Sequence, residues 1–217
     1  MNRTFLYESH RALGAKFVDF SGWEMPIHYG SQINEHNYVR NEVGIFDVSH
    51  MNIFDFNGTE ARKFMRYVLT NDVNKIQDGC ALYSVITNNE GGIIDDLIVY
   101  KFTNKKFRII SNCSTFNDVK EFFEDKIARY DCELIHRSNL GILAIQGPKS
   151  KSVIKMIFGS DLPECKSFSF EIKDKLFVSR TGYTGEDGFE LIGDHEALIR
   201  VWNLCISEKV NPIGLGA

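Results

Sequence analysis

The sequence predicts an α+β fold with antiparallel sheets. Helix-like and strand-like stretches mix without strict βαβ alternation. Apolar spacing switches between periods of two and 3.6 residues. Hairpin signals separate several of the strands. The 217 residues suit one large domain or two small ones. In chain order, SQINEHNYVRN (31–41) is helical, with weakly periodic Ile33, Tyr38 and Val39. Residues 43–56, which contain IFDVSHMNIFDF, read as one strand-like run. GTEARKFMRYVL (58–69) puts Ala61, Phe64, Met65, Val68 and Leu69 on one stripe, with Thr59 as N-cap. ALYSVITNNEGGIIDDLIVYKF (81–102) is strand, turn, strand, and KFRIISN (106–112) is a third strand. FNDVKEFFEDKIARY (116–130) is an amphipathic helix. LGILAIQGP (140–148) is a buried strand ended by Gly-Pro, and SKSVIKMIF begins a helix. KLFVSRTGYTGEDGFELIG (175–193) is strand, glycine-rich turn, strand, before a helix over 197–207.

Composition excludes several function classes. Hydrophobic residues are 43% and charged residues 25%, ordinary for a globular protein. A net charge of −4 offers no global basic field for nucleic acid. Cys80, Cys113, Cys132, Cys165 and Cys205 are scattered and form no C-x-x-C pair, which suits a reducing compartment. The opening MNRTFLYESHRALG lacks the apolar core of a secretory signal, and no apolar run approaches the ~18 residues of a membrane span. These features predict a cytoplasmic protein. The six histidines show no H-x-x-x-H or H-E-x-x-H spacing, so no metal site is expected.

Three stretches could carry chemistry. GGIIDDLIVY (91–100) sets Asp95 and Asp96 in a strand, where aspartate is depleted and costly to bury unpaired. Neighbours in a strand point to opposite faces, so the two cannot act as paired carboxylates on one substrate. Asp96 shares a face with Ile98 and Tyr100, and Asp95 shares one with Leu97 and Val99. Either both are solvated at a hairpin mouth, or one is a working carboxylate in an apolar cleft. RTGYTGEDGFEL (180–191) spaces Gly182, Gly185 and Gly188 by three, amid Tyr183, Glu186, Asp187 and Glu190. It is neither a P-loop nor G-x-G-x-x-G. It is either a glycine-rich hairpin or a site for a flat, amine-bearing ring, because a carboxylate accepts two parallel N–H bonds. FDVSHMN (46–52) holds Asp, Ser and His, but adjacency in sequence is not triad geometry. His50 is expected to be structural, and Cys80 and Cys113 to be small core residues.

GAKFVDFSGWEMPIHYG, VGIFDVSHM, LTNDV, ALYSVITNNEGGIIDDLIVY, QGP, SRTGYTGEDGFEL and the closing GLGA together resemble the aminomethyltransferase (T-protein) family of the glycine cleavage system. The resemblance runs over essentially the whole chain, and the wider family includes folate-dependent demethylases. It implies a folate-binding fold of two intertwined α+β domains, one of residues 1–51 with 138–217 and an inserted one of residues 52–137. It implies transfer of an aminomethyl group from the lipoyl arm of the H-protein to tetrahydrofolate, with release of ammonia and formation of 5,10-methylenetetrahydrofolate. By the family's motif Asp96 is the key carboxylate near the reactive folate nitrogens. Glu190 holds the pterin's guanidine-like edge, with Tyr183 nearby. Asn112, Tyr83, Tyr100 and Met51 match positions lining the folate cavity, and Asp95 is carried with them. In the family an Arg- and Asp-containing segment and a C-terminal barrel follow GLGA. Neither is in this chain, so the cavity is expected to lack one wall. A folate-dependent demethylase of a small methylated compound and a folate-binding module without transfer remain as alternatives.

Overall fold

The structure is a computed structural model that describes residues 1–160, 162 and 166–217; Cys165 lies outside the described residues. In chain order the elements are α1 (Tyr7–Ala12), β1 (Lys16–Phe20), β2 (Trp23–His28), α2 (Gln32–Asn41) and β3 (Gly44–Asp47). There follow β4 (Asn52–Asn57), α3 (Ala61–Val68), β5 (Cys80–Thr87), β6 (Ile93–Thr103), β7 (Lys106–Ser111), α4 (Phe116–Ile127) and β8 (Glu133–His136). The chain ends through β9 (Leu140–Gln146), α5 (Ser150–Phe158), β10 (Phe170–Lys173), β11 (Leu176–Ser179), β12 (Gly188–Asp194), α6 (His195–Ser207) and β13 (Asn211–Pro212). These form two compact units. The first is Met1–His50, Asn139–Ser167 and Glu171–Ala217; the second is Met51–Ser138 and Phe168–Phe170. No helix among the described residues is long and apolar enough to cross a membrane.

In the first unit a six-stranded sheet runs β10-β11-β12-β9-β3-β13. Its pairings β11–β12, β12–β9 and β9–β3 are antiparallel, as expected, and the short β13 is added to β3 in parallel at the edge. Alternation divides the sheet. Val178, Leu191 and Ile145 pack with Val153, Leu198 and Trp202 of α5 and α6 in the main core. The opposite face carries Ala144 and Phe46 against Val39 of α2, and on it lie Ser179, Glu190 and Gln146. The helix α6 starts at Asp194, whose carboxylate accepts from the Ala197 N–H at 2.7 Å, an N-cap that follows the strand without a loop.

In the second unit a five-stranded sheet runs β5-β6-β7-β4-β8. Its core face buries Phe54, Phe56, Leu97, Val99, Phe107 and Ile109 beneath the stripe Phe64, Met65 and Val68 of α3 and Val119 and Phe123 of α4. Asn88–Gly92 turns the β5–β6 hairpin, with the Asn88 side chain accepting from the Gly92 N–H at 2.8 Å. Thr59 does not cap α3. Its hydroxyl instead donates to Asp131, and Glu60 takes the cap position, its side chain bonded to Lys63 and the Asp131 N–H rather than capping the helix.

The strand-like run over 43–56 is two strands, β3 and β4, broken at Val48–Met51. The break follows from polar demand. Asp47 is buried; its Oδ1 accepts from the Ser49 N–H at 2.9 Å, while Oδ2 faces His10 Nε2 at 2.9 Å. His10 Nδ1 meets the Tyr29 hydroxyl at 2.7 Å. Burial alone would raise the Asp47 pKa, but bonds from His10, Thr4 and Ser49 outweigh it and hold the carboxyl below its ordinary range. So the histidine bound to Asp47 is His10, 37 residues away, and not the nearby His50. The His50 ring lies edge-on to Phe20 at 5.3 Å, and its buried Nδ1 has no hydrogen-bond partner.

Burial pushes the His50 pKa down to about 4. The unfolded chain takes up this proton near pH 6.5, and the folded chain refuses it until about pH 4. The unfolded state therefore binds more protons across that window, and stability falls as pH falls through it. The expected loss is on the order of 3 kcal/mol. Urea unfolding midpoints between pH 7.5 and 4.5 should slope down in wild type and flatten in His50→Gln; equal slopes would refute the assignment.

Candidate functional site

Asp95 and Asp96 keep the opposite orientations that strand alternation assigns. Asp95 is 4% exposed on the core face of β6, beside Leu97. Asp96 is half-buried on the other face. Leu97 pairs with Ser111 across β6 and β7, so Asn112, one residue on, comes opposite Asp96. Asn112 binds both aspartates. Its backbone N–H donates to Asp95 Oδ2 at 3.0 Å, and its Nδ2 donates to Asp95 Oδ1 at 2.7 Å and Asp96 Oδ1 at 3.0 Å. The Asp96 carbonyl also lies 3.1 Å from Nδ2. Three oxygens around one amide nitrogen fix which way the Asn112 amide faces. Asn112 Oδ1 is thereby left to accept from elsewhere. Tyr83, 48% exposed on the Asp96 face, donates its hydroxyl to Asp96 Oδ2 at 3.2 Å.

This arrangement explains the doubled aspartate. Asp95 anchors the amide, and the amide with Tyr83 holds the carboxylate of Asp96. Among the sequence-predicted residues of this unit, Asp95, Asp96, Asn112 and Tyr83 therefore form one hydrogen-bonded cluster. Met51 is half-buried. Tyr100 is different: it is 1% exposed and packs edge-on to Phe170 at 5.7 Å, so it presents almost no surface.

The second group lies in the first unit. Ser179 pairs directly with Glu190 across β11 and β12, and Gly188 pairs with Gln146 across β12 and β9. Residues two apart share a face, so Ser179, Glu190, Gly188 and Gln146 form one patch. Thr181, just beyond β11, donates its hydroxyl to Glu190 Oε2. The Gln146 amide donates to the Thr181 carbonyl at 3.2 Å and accepts from the Thr184 hydroxyl at 2.9 Å. The three-residue glycine spacing has a local cause. A Cβ on Gly182 would lie 2.1 Å from Gln146 Oε1, and one on Gly188 2.3 Å from Gln146 Nε2. The loop closes on a buried glutamine, and Gly185 supplies the turn at φ +80°.

Not all the acids of this loop are equivalent. Arg180 grips Asp187 with two bonds, Nε to Oδ1 at 2.8 Å and Nη2 to Oδ2 at 2.9 Å. That pairing holds the Asp187 carboxyl below its ordinary range. Arg40 holds Glu186 and the Thr184 carbonyl, each at 2.8 Å. Both acids close the loop and are engaged by cations of the chain itself. Tyr183 stands 90% exposed at the loop's tip.

Sequence reasoning missed Ser179, Thr181 and Gln146. QGP and RTGYTGEDG were both visible, but nothing local shows that they meet. Cys80 and Cys113 are half-buried and not core. Among the described cysteines Cys205 is the buried one, its thiol pushed up to about 12 by burial, and Cys132 is pushed up to about 11. No group of three or more metal-ligating side chains occurs among the described residues.

Residues 6–217 match the model of the GCVT N-terminal domain. The chain belongs to this family. It is 46% identical over 221 residues to an aminomethyltransferase of Francisella tularensis subsp. tularensis, aligning 100% of this chain with 62% of that protein. It is 44% identical over 225 residues to an aminomethyltransferase of Xanthomonas axonopodis pv. citri, aligning 99% of this chain with 61% of the relative. Among solved structures it is similar to the glycine cleavage system aminomethyltransferase T of Bartonella henselae, with a TM-score of 0.92 and 32% identity, covering 100% of this chain and 60% of that one. The chain thus spans about three fifths of the length of these relatives. The α+β architecture expected from the sequence is the architecture of this family.

Proposed function

We propose that this chain forms the folate-binding and one-carbon-transferring part of a glycine cleavage aminomethyltransferase. The substrates are an aminomethyl group carried on the lipoyl arm of the H-protein and tetrahydrofolate. The products are ammonia, the reduced lipoyl arm and 5,10-methylenetetrahydrofolate. The observation that carries the reading is the held carboxylate of Asp96: half-buried, fixed by Asn112 and Tyr83, and supported by Asp95 from the core face.

We assign the residues to a reduced pterin. In the first unit Glu190 is assigned the pterin's amino group and ring N–H, a pair of parallel donors suited to a carboxylate. Tyr183, exposed at a pinned loop, offers a ring for contact. In the second unit Asn112 Oδ1 is an acceptor for a ligand N–H, and Tyr83 and Met51 are assigned to lining. Asp95 and Tyr100 are too buried to touch ligand freely, so we assign them support. Tetrahydrofolate supplies the nucleophilic nitrogens. Two bonds form from the carbon to the folate nitrogens as its bonds to the ammonia nitrogen and to the lipoyl sulfur break. The two protons leaving the folate nitrogens end on ammonia and on the thiol, and Asp96 stabilises the positive charge that develops and relays a proton between them. Scattered cysteines with no C-x-x-C pair suit the reducing cytoplasm.

Calorimetric titration with tetrahydrofolate tests the reading. Glu190→Gln should weaken binding by about tenfold or more, the worth of a hydrogen bond to a charged group. Aminomethyl transfer from a lipoylated carrier, read as released ammonia, should accompany binding in wild type. Binding without transfer would leave a folate-binding module, and turnover of a methylated amine without carrier would favour a demethylase. A folded wild-type chain that does not bind would overturn the proposal.

A further inference from the structure

We infer that Thr181, backed by Ser179 and Gln146, is a positioning residue that sets the Glu190 carboxylate for its ligand. The inference rests on the folate reading of Glu190 and deepens it.

Three polar side chains lie behind Glu190 where the sheet face would ordinarily be apolar. Gln146 is 1% exposed, Ser179 0% and Thr181 8%. Burying such groups is costly unless each is bonded, so a network here needs a reason. The bonds converge on Thr181 and Glu190. Gln146 fixes the Thr181 carbonyl at 3.2 Å, and the Ser179 and Thr181 hydroxyls meet at 2.8 Å. The Thr181 hydroxyl then donates to Glu190 Oε2. Ser179 also pairs directly with Glu190 across β11 and β12, which places the hydroxyl pair beside the strand that carries the glutamate.

The terminal torsion of a glutamate side chain is broad and roughly two-fold. A carboxylate that must meet two parallel N–H donors in one plane therefore loses affinity to its own rotation. A hydroxyl locked onto one oxygen removes that freedom before the ligand arrives. It also engages Oε2 from the protein side. Gln146 adds a second constraint, because the same amide holds Thr184 and so ties the carboxylate's support to the loop bearing Tyr183.

The test is tetrahydrofolate affinity of the 217-residue chain by calorimetry, with folding checked by hydrogen exchange. Thr181→Val removes the hydroxyl at constant shape and should weaken binding about 5- to 30-fold, while Thr181→Ser should stay within about twofold. In a Glu190→Gln background Thr181→Val should add almost nothing, because its effect acts through that carboxylate. Ser179→Ala leaves the Thr181 hydroxyl in place and should show the same pattern at about two- to fivefold, which keeps the test informative if Thr181→Val fails to fold. Wild-type affinity in folded Thr181→Val, or an undiminished loss in the Glu190→Gln background, would overturn the inference and leave the folate reading standing. Wild-type affinity in Glu190→Gln itself would bring down the reading and the inference together.

Discussion

Asp96→Asn is expected to lower aminomethyl transfer to tetrahydrofolate by about 10²- to 10⁴-fold, the range for removing a positioned acid–base and electrostatic group. Tetrahydrofolate affinity should stay within about threefold. The contrast depends on how Asp96 is held. Oδ1 accepts from Asn112 and Oδ2 from Tyr83. An asparagine can keep its oxygen toward Asn112 and turn its NH₂ toward the Tyr83 oxygen, because a phenol both donates and accepts. The variant therefore loses charge and basicity without leaving a buried group stranded. Single-turnover transfer, measured beside calorimetric binding, separates the outcomes. Equal losses in rate and affinity would make Asp96 a binding residue, and an unchanged rate would remove it from the chemistry.

The sequence carried much of this arrangement, but unevenly. Strand alternation separated Asp95 from Asp96 correctly, because the period-2 rule holds wherever one face of a strand is buried. It carried no information on what would satisfy Asp95. That partner, Asn112, is 17 residues away and arrives through the β6–β7 register. The apolar stripe of α3 was legible for the same reason as the strands: its buried face repeats with the helical period. Its cap was not, because Thr59 has a stronger partner in Asp131, 72 residues on. The glycines of 182–188 were visible as a motif, but their packing partner was not. Gly182 and Gly188 make room for Gln146, which no local pattern announces. The break between β3 and β4 was hidden because Asp47 and Ser49 fit an alternating pattern until their hydrogen bonds are known.

Asp55→Ala is expected to destabilise the second unit by about 3–5 kcal/mol, a large share of the ~5–15 kcal/mol that holds a domain folded. Asp55 is 1% exposed and lies directly across β4 and β7 from Arg108, itself 7% exposed. Arg108 grips it with Nε to Oδ1 at 2.7 Å and Nη2 to Oδ2 at 2.9 Å, and Arg137 adds Nη1 to Oδ2 at 2.8 Å. Such a cluster adds little over a well-packed apolar replacement, because desolvation offsets most of its attraction. Removing the carboxylate alone is another matter: it leaves a buried guanidinium without its counter-charge. The double variant Asp55→Ala/Arg108→Met should accordingly recover stability relative to Asp55→Ala. Both tryptophans, Trp23 and Trp202, lie in the first unit, so their fluorescence is the wrong probe. Hydrogen exchange at the Phe54 and Ile109 amides, paired across the same two strands, reports the loss where it occurs. Unchanged protection in Asp55→Ala would mean that Arg108 finds solvent once released, and that the buried charge never depended on this carboxylate.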